Sequence, residues 1–242
     1  MPRADTAPTT PARLAEIRTA IVDCTLCPRL RTYCARIARE KKAAHRNDVY
    51  WGKPVPGFGD PGARLLIVGL APAAHGGNRT GRTFTGDGSG DFLMSALHRT
   101  GFANIPTSRA GDDGLALRDA YILAAVRCAP PDNKPLPEEI ARCRRHMVAE
   151  IGALPHVRVV VALGKIGHDA YLAYLAERGH RAKPKPVFGH GSRAAFDAGA
   201  RLPVLLGSYH PSRQNTNTGK LTPAMLEAIF REARRLIESP AT

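Results

Sequence analysis

The chain has 242 residues, 43% of them hydrophobic, and its 35 Lys and Arg outweigh 21 Asp and Glu to give a formal charge of +14. That length suits one α/β domain around one sizeable core better than two domains, and the basic excess points to nucleic acid or an anionic surface as partner while saying nothing about fold. The longest apolar runs, 65–70 and 157–163, are too short to span a bilayer, and residues 1–13 hold no signal-peptide core, so a cytoplasmic protein without membrane contact is expected.

Residues 1–10, rich in Pro, Thr and Ala, read as a disordered lead-in to a single domain over 11–242. Leu14, Ile17 and Ile21 recur at helical spacing over 12–23, a helix that delivers Cys24 and Cys27 in C-T-L-C. Four continuous apolar runs of strand length follow, at 64–70, 121–128, 157–163 and 202–209, with helical patterns between them at 91–100, 137–153 and 165–178. Runs that do not alternate fit strands covered on both faces, as in a parallel sheet. Residues 179–201, rich in Gly, Pro and basic side chains, read as a loop excursion. Thr222-Pro223, a cap residue followed by proline in the first turn, opens a last helix through Met225, Ile229 and Leu236.

In open parallel sheets, ligands bind in the loops at the carboxyl ends of the strands. Three such loops carry the chemistry and are expected to meet on one rim. The loop after the first strand, Gly69 to Asp87, is glycine-rich and holds Asn78, Arg79 and Arg82, so backbone amides and guanidinium groups there suit a phosphate or a base; it matches neither the phosphate-loop nor the dinucleotide fingerprint. Phe84 in T-F-T-G-D suits stacking on a planar ligand or, more plainly, anchoring of the loop. Asp87 suits orientation of water or support of a cationic transition state, or serves as a helix cap. Asn133, in P-P-D-N-K-P after the second strand, can both donate to and accept from a base edge, and is equally an ordinary turn residue. After the fourth strand, His210-Pro211-Ser212 places an imidazole at the rim, and Asn215, Asn217, Thr218 and Lys220 offer polar contacts to a phosphate backbone.

Five cysteines in a reducing compartment do not suggest a disulfide framework. Cys24 and Cys27 form one half-site of metal-ligand type; Cys128 and Cys143, with 14 residues between them, form another unlike the compact second knuckle of a zinc ribbon. That spacing favours iron–sulfur over zinc, with ordinary buried cysteines as the plainer alternative. Cys34 is left over.

Taken with Y-W-G-K-P-V-P-G-F-G-D-P and A-A-V-R-C-A-P-P-D-N-K-P, the first loop, G-L-A-P-A-A-H-G-G-N-R-T-G-R-T-F-T-G-D, and the last, H-P-S-R-Q-N-T-N-T-G-K-L-T, resemble the uracil-DNA glycosylase superfamily. The resemblance is to its type 5, or type B, iron–sulfur branch. It implies a three-layer α/β/α sandwich around a four-stranded parallel sheet, and a structural [4Fe-4S] cluster held by Cys24, Cys27, Cys128 and Cys143. The implied activity is excision of uracil, and of other deaminated bases such as hypoxanthine, from double-stranded DNA by a monomeric enzyme associated with the nucleoid. Type 4 relatives resemble G-E-A-P, with a water-activating acid, where this chain reads G-L-A-P, and the departure is assigned to Ala71. Ala124 stands where they resemble having a uracil-reading asparagine. The resemblance therefore assigns catalysis to Asp87 and His210, base binding to Gly69, Ala71, His75, Phe84 and Asn133, and DNA-backbone contacts to Asn78, Arg79, Arg82, Ser212, Arg213, Asn217 and Lys220. Rival readings are a nucleic-acid-binding module with an architectural metal site, which binds without releasing a base, and an electron-transfer iron–sulfur protein.

Overall fold

The computed structural model describes residues 9–196 and 202–239. The expected lead-in at 1–10 falls almost wholly outside the described residues; at its end, Thr10 already begins helix α1 (Thr10–Val22), with Pro11 in the first turn. A second helix, α2 (Pro28–Glu40), follows Cys27 directly and again opens on proline.

The four apolar runs become parallel strands β2 (Leu65–Gly69), β3 (Ala120–Ala124), β4 (Val159–Leu163) and β6 (Val204–Ser208). The sheet has six strands, not four, in the order β1-β3-β2-β4-β6-β5. The additions, β1 (Phe58–Gly59) and β5 (Arg193–Ala194), pair antiparallel at the two edges, and a two-residue strand is too short to leave a periodic signal. β5 lies in the stretch read as a loop excursion.

Successive strand residues point to opposite faces, so each strand feeds two cores. Leu65, Ile67, Ile122, Val159, Val161 and Leu206 pack under α4 (Gly88–Arg99) and α8 (Pro223–Glu238), which supply Leu93, Leu97, Leu226 and Phe230. Leu66, Val68, Leu123, Val160 and Leu205 pack on the other face, against Met147 of α5 (Pro137–Gly152), Tyr171 and Leu175 of α6 (Lys165–Glu177), and Leu14 of α1. Burial on both faces explains the unbroken apolar runs. Two short helices complete the set, α3 (Gly77–Thr80) and α7 (Arg213–Asn217). A third cluster gathers Cys27, Cys34, Cys128 and Cys143 around Leu30 and Val126. No helix among the described residues is long and apolar enough to cross a membrane.

The chain leaves β2 for β3 on one side and returns to β4 on the other, which makes the β2/β4 boundary a topological switch point whose carboxyl ends open a crevice.

Candidate active site

The three loops do meet. A cleft of about 600 Å³ is lined by Ala73–Gly76 and Gly86–Gly88 from the loop after β2, Pro130, Asp132 and Asn133 from the loop after β3, and Arg213 from the loop after β6. Tyr33, Lys42 and His45 complete the wall, and sequence reasoning missed them. The basic run K-K-A-A-H-R after α2 was the available signal.

Asp87 is a helix cap and a cleft residue at once. Its Oδ1 accepts from Gly90 N at 3.0 Å, the N-cap bond of α4. Its Oδ2 reaches toward Gly76, where a Cβ would stand 2.2 Å away, so only glycine leaves room for the carboxylate. Burial pushes its pKa above the usual carboxylate value, against the Gly90 and Ser89 amides that favour the anion.

Phe84 is buried and sits at φ 52°, a left-handed conformation uncommon for an aromatic residue. Its ring fills the space a side chain at Gly69 would need, 2.8 Å from an ideal Cβ there. The ring also stacks on the His210 imidazole, with centroids 5.5 Å apart and planes 29° from parallel. His210 is half-buried, and burial pushes its pKa down to about 4, so the ring is neutral at pH 7. Asn215 Nδ2 donates to His210 O at 2.8 Å and fixes the backbone there.

His75 lines the cleft with its Nδ1 2.9 Å from the Tyr50 hydroxyl, and burial lowers its pKa. Asn133 and the preceding Asp132 both have positive φ, 56° and 53°, and both are exposed to the cleft. Two consecutive non-glycine residues in that region mark a turn held by its surroundings.

The residues expected at the DNA backbone divide in two. Ser212 caps α7, its Oγ accepting from Asn215 N at 3.4 Å, so this stretch is helical where sequence suggested a loop. Arg213, Asn217 and Lys220 are exposed beside it, and the Lys220 ammonium lies 4.9 Å from the Tyr209 ring centroid. Asn78 and Arg82, by contrast, are interior, which corrects their assignment to phosphate contacts. Asn78 is fully buried and donates to Cys34 O at 3.3 Å. Arg82 grips both oxygens of Asp113 at 2.7 and 2.8 Å and bonds Thr85 Oγ1 at 2.9 Å. Although burial works against it, the Asp113 carboxyl is held at about 2 by Arg82 and by backbone amides. Arg79 is largely enclosed too, and braces the cleft: it donates to His75 O at 2.9 Å, to Gly86 O at 3.0 Å and to Asp48 at 2.8 Å.

Ala71 does not face the cleft wall; it packs against the cysteine cluster. Laying G-E-A-P on G-L-A-P also puts the type 4 acid at Leu70, one residue earlier, which corrects the assignment of that departure to Ala71. Ala124 ends β3, fully buried.

Cys24, Cys27, Cys128 and Cys143 line one small cavity with Leu26, Leu30 and Val126, ringed by Arg31, Arg127 and Arg142. Cys143 Sγ accepts from Arg127 N at 3.2 Å. Burial raises the Cys27 thiol and pushes Cys143 up to about 12, while the hydrogen bond with Cys34, ahead of burial, raises Cys128. Thiols held protonated in this way ionise when a cationic centre enters, and the arginines offset the resulting negative charge. Among the described residues no three His, Cys, Asp or Glu close on a single-ion site. Four thiols around one apolar cavity are a donor set that suits thiophilic metal centres, iron–sulfur clusters among them.

A mostly parallel α/β sheet thus carries a carboxylate, an imidazole and an amide around a crevice at its switch point, beside a cluster of four cysteines, the frame of an α/β enzyme whose site lies at the strand ends. The chain belongs to the uracil-DNA glycosylase superfamily, whose sequence model matches residues 56–234, and within it to the type 5 branch. It is 52% identical over 213 residues to a type-5 uracil-DNA glycosylase of Thermus thermophilus, covering 88% of this chain and 93% of the relative. It is 49% identical over 224 residues to one of Mycobacterium bovis, covering 92% and 81%. A type-4 uracil-DNA glycosylase of Pyrobaculum aerophilum is 33% identical over 164 residues, covering 67% and 74%.

Proposed function

We propose that this chain is a DNA glycosylase that hydrolyses the N-glycosidic bond of uracil in double-stranded DNA and so initiates base-excision repair. The observation that carries this reading is the placement of Asp87, His75, Asn133 and Arg213, from three loops, around one cleft, with the Phe84–His210 stack joining two of those loops. The glycosidic bond is inaccessible inside the base stack, so the nucleotide is extruded from the duplex before chemistry. Breaking the bond sends its electron pair to the base and leaves positive charge at the sugar. His210, neutral at pH 7, donates to the base carbonyl as negative charge develops there, a role open to a neutral imidazole with one N–H. Asp87 supports the sugar cation through Oδ2 and orients the water that adds to it, while Oδ1 stays on the helix cap. Phe84, held by Gly69 and stacked on His210, offers its ring to the extruded base, and Asn133 and His75 read its edge. Without a dedicated asparagine at Ala124 the pocket also admits other deaminated bases such as hypoxanthine.

Cys24, Cys27, Cys128 and Cys143 hold a [4Fe-4S] cluster whose work is to clasp the segment joining α1 and α2 to the loop after β3. Arg213, Ser212, Asn217 and Lys220 contact the phosphate backbone, so binding weakens steeply with salt. The enzyme works as a single-domain cytoplasmic monomer associated with the nucleoid.

The test is a duplex carrying one uracil, incubated with purified protein and cleaved by alkali at any abasic site. Strand cleavage by the wild type, strongly reduced in Asp87→Asn and His210→Ala, supports the reading. Tight binding with intact DNA overturns it in favour of a binding module.

A further inference from the structure

The stretch between α6 and β6, read from the sequence as a loop excursion, returns onto the strand end that presents His210. His190 is half-buried there, its ring 5.2 Å from that of Tyr209, and Phe188 packs on the same tyrosine with centroids 6.5 Å apart. The backbone N–H of Tyr209 donates to His190 Nδ1 at 3.3 Å. A backbone N–H can only donate, so Nδ1 is the unprotonated nitrogen and the neutral ring carries its proton on Nε2. Ser208, fully buried, gives its hydroxyl proton to Tyr209 O at 3.0 Å and brings its oxygen within 3.4 Å of the same Nδ1.

The backbone leading into His210 is thereby fixed from three separate elements. Gly164, in the loop after β4, donates its N–H to Ser208 O at 2.8 Å. His190 takes the N–H of Tyr209 from the opposite direction, and Asn215 of α7 holds the carbonyl of His210. His190 holds the Tyr209 N–H, the peptide next to His210 on its amino-terminal side, and it comes from a segment none of whose described residues lines the cleft.

We propose that His190 is a positioning residue for base release: by holding the Tyr209 peptide it sets the direction from which the His210 imidazole meets the base carbonyl. The inference rests on the reading of His210 as the group that faces the departing base. A donor misplaced by a fraction of an ångström still binds DNA but stabilises the developing charge poorly, so the effect falls on the chemical step rather than on affinity.

The test uses the full-length protein as His190→Ala, His190→Asn, His210→Ala and the His190→Ala/His210→Ala double variant. Single-turnover uracil release, duplex affinity and thermal stability are measured, with ring resonances of histidine-labelled free protein. In His190→Ala the rate falls about tenfold or more while affinity stays within about twofold, and the His210 ring resonances shift. In His190→Asn the amide oxygen takes the Tyr209 N–H and the rate returns to within about threefold of wild type. In the double variant the second change adds no loss, because both act on one interaction. An unchanged rate in His190→Ala, losses that multiply in the double variant, an asparagine variant as slow as the alanine one, or unmoved His210 resonances would each overturn the inference. If wild type releases no uracil, the glycosylase reading falls on that ground alone, and the His210 resonances still decide whether His190 positions the ring.

Discussion

The Asp87 carboxylate and the bare Cα of Gly76 occupy one another's space: a Cβ at Gly76 would lie 2.2 Å from Asp87 Oδ2 and 3.1 Å from its Cγ. Gly76→Ala therefore forces the carboxylate to move without touching its charge. Uracil release should fall about a hundredfold, as for a reacting group displaced by about an ångström. Single-turnover kinetics beside a thermal melt check this; a full-rate, well-folded variant would detach Oδ2 from the chemistry.

Asp87 serves both fold and chemistry, and substitution separates the two. Asparagine is as good an N-cap as aspartate, so Asp87→Asn should stay within about 0.5 kcal/mol of wild-type stability while losing most activity. Asp87→Ala loses the cap as well, at about 1 kcal/mol. Urea denaturation of both variants, set against their excision rates, distinguishes the roles.

The Arg127–Glu150 ion pair is buried on both sides, and Glu150 Oε1 also accepts from Gly57 N at 2.8 Å and the Tyr121 hydroxyl at 3.1 Å. Removing one partner strands the other charge away from water, which costs about 3–5 kcal/mol. Glu150→Gln should lower the urea midpoint accordingly, and a change below about 1 kcal/mol would mean that water reaches the arginine.

His210 and His146 both have pKa values pushed down to about 4, in each case by burial first. In the unfolded chain they titrate near their ordinary value of 6.5. Their neutral burial costs nothing above that value; as pH falls from 6.5 toward 4 the unfolded state binds protons that the native state refuses, and stability declines. His210→Ala should flatten the decline of melting temperature across that window. Activity should fail on the acid side too, as Asp87 takes a proton at a pH above the usual carboxylate range.

Cys34 and Cys143 are both buried in one cluster, yet only Cys143 lines the cavity shared by the C-T-L-C pair. Cys143→Ser should abolish the broad iron–sulfur absorbance near 400 nm expected of the purified protein, and Cys34→Ser should retain it. The reverse outcome would reassign the fourth ligand.

The four parallel strands were legible because burial on both faces writes itself as an unbroken apolar run, and the rim followed because parallel strands end on the same side. Helix α2 was not, since only Leu30 and Cys34 are buried along it, amid Arg29, Arg31, Arg36 and Arg39. Tyr33, Lys42 and His45 escaped for the same reason: their place on the cleft depends on how that helix folds back. Asn78 and Arg82 misled because polar side chains usually face water. The carboxylate that draws Arg82 inward, Asp113, lies 31 residues away, and no local pattern announces such a partner.

Arg79 links the carbonyls of His75 and Gly86, the two ends of the glycine-rich segment that walls the cleft, and ties both to Asp48. A segment with glycine at 76, 77, 81 and 86 would otherwise sample many conformations. One guanidinium closes it into a ring, so its ordering entropy is surrendered when the protein folds and not when a nucleotide arrives. The cleft is thereby preorganised, and a stretch whose glycines would leave it pliant is held in place by a single side chain.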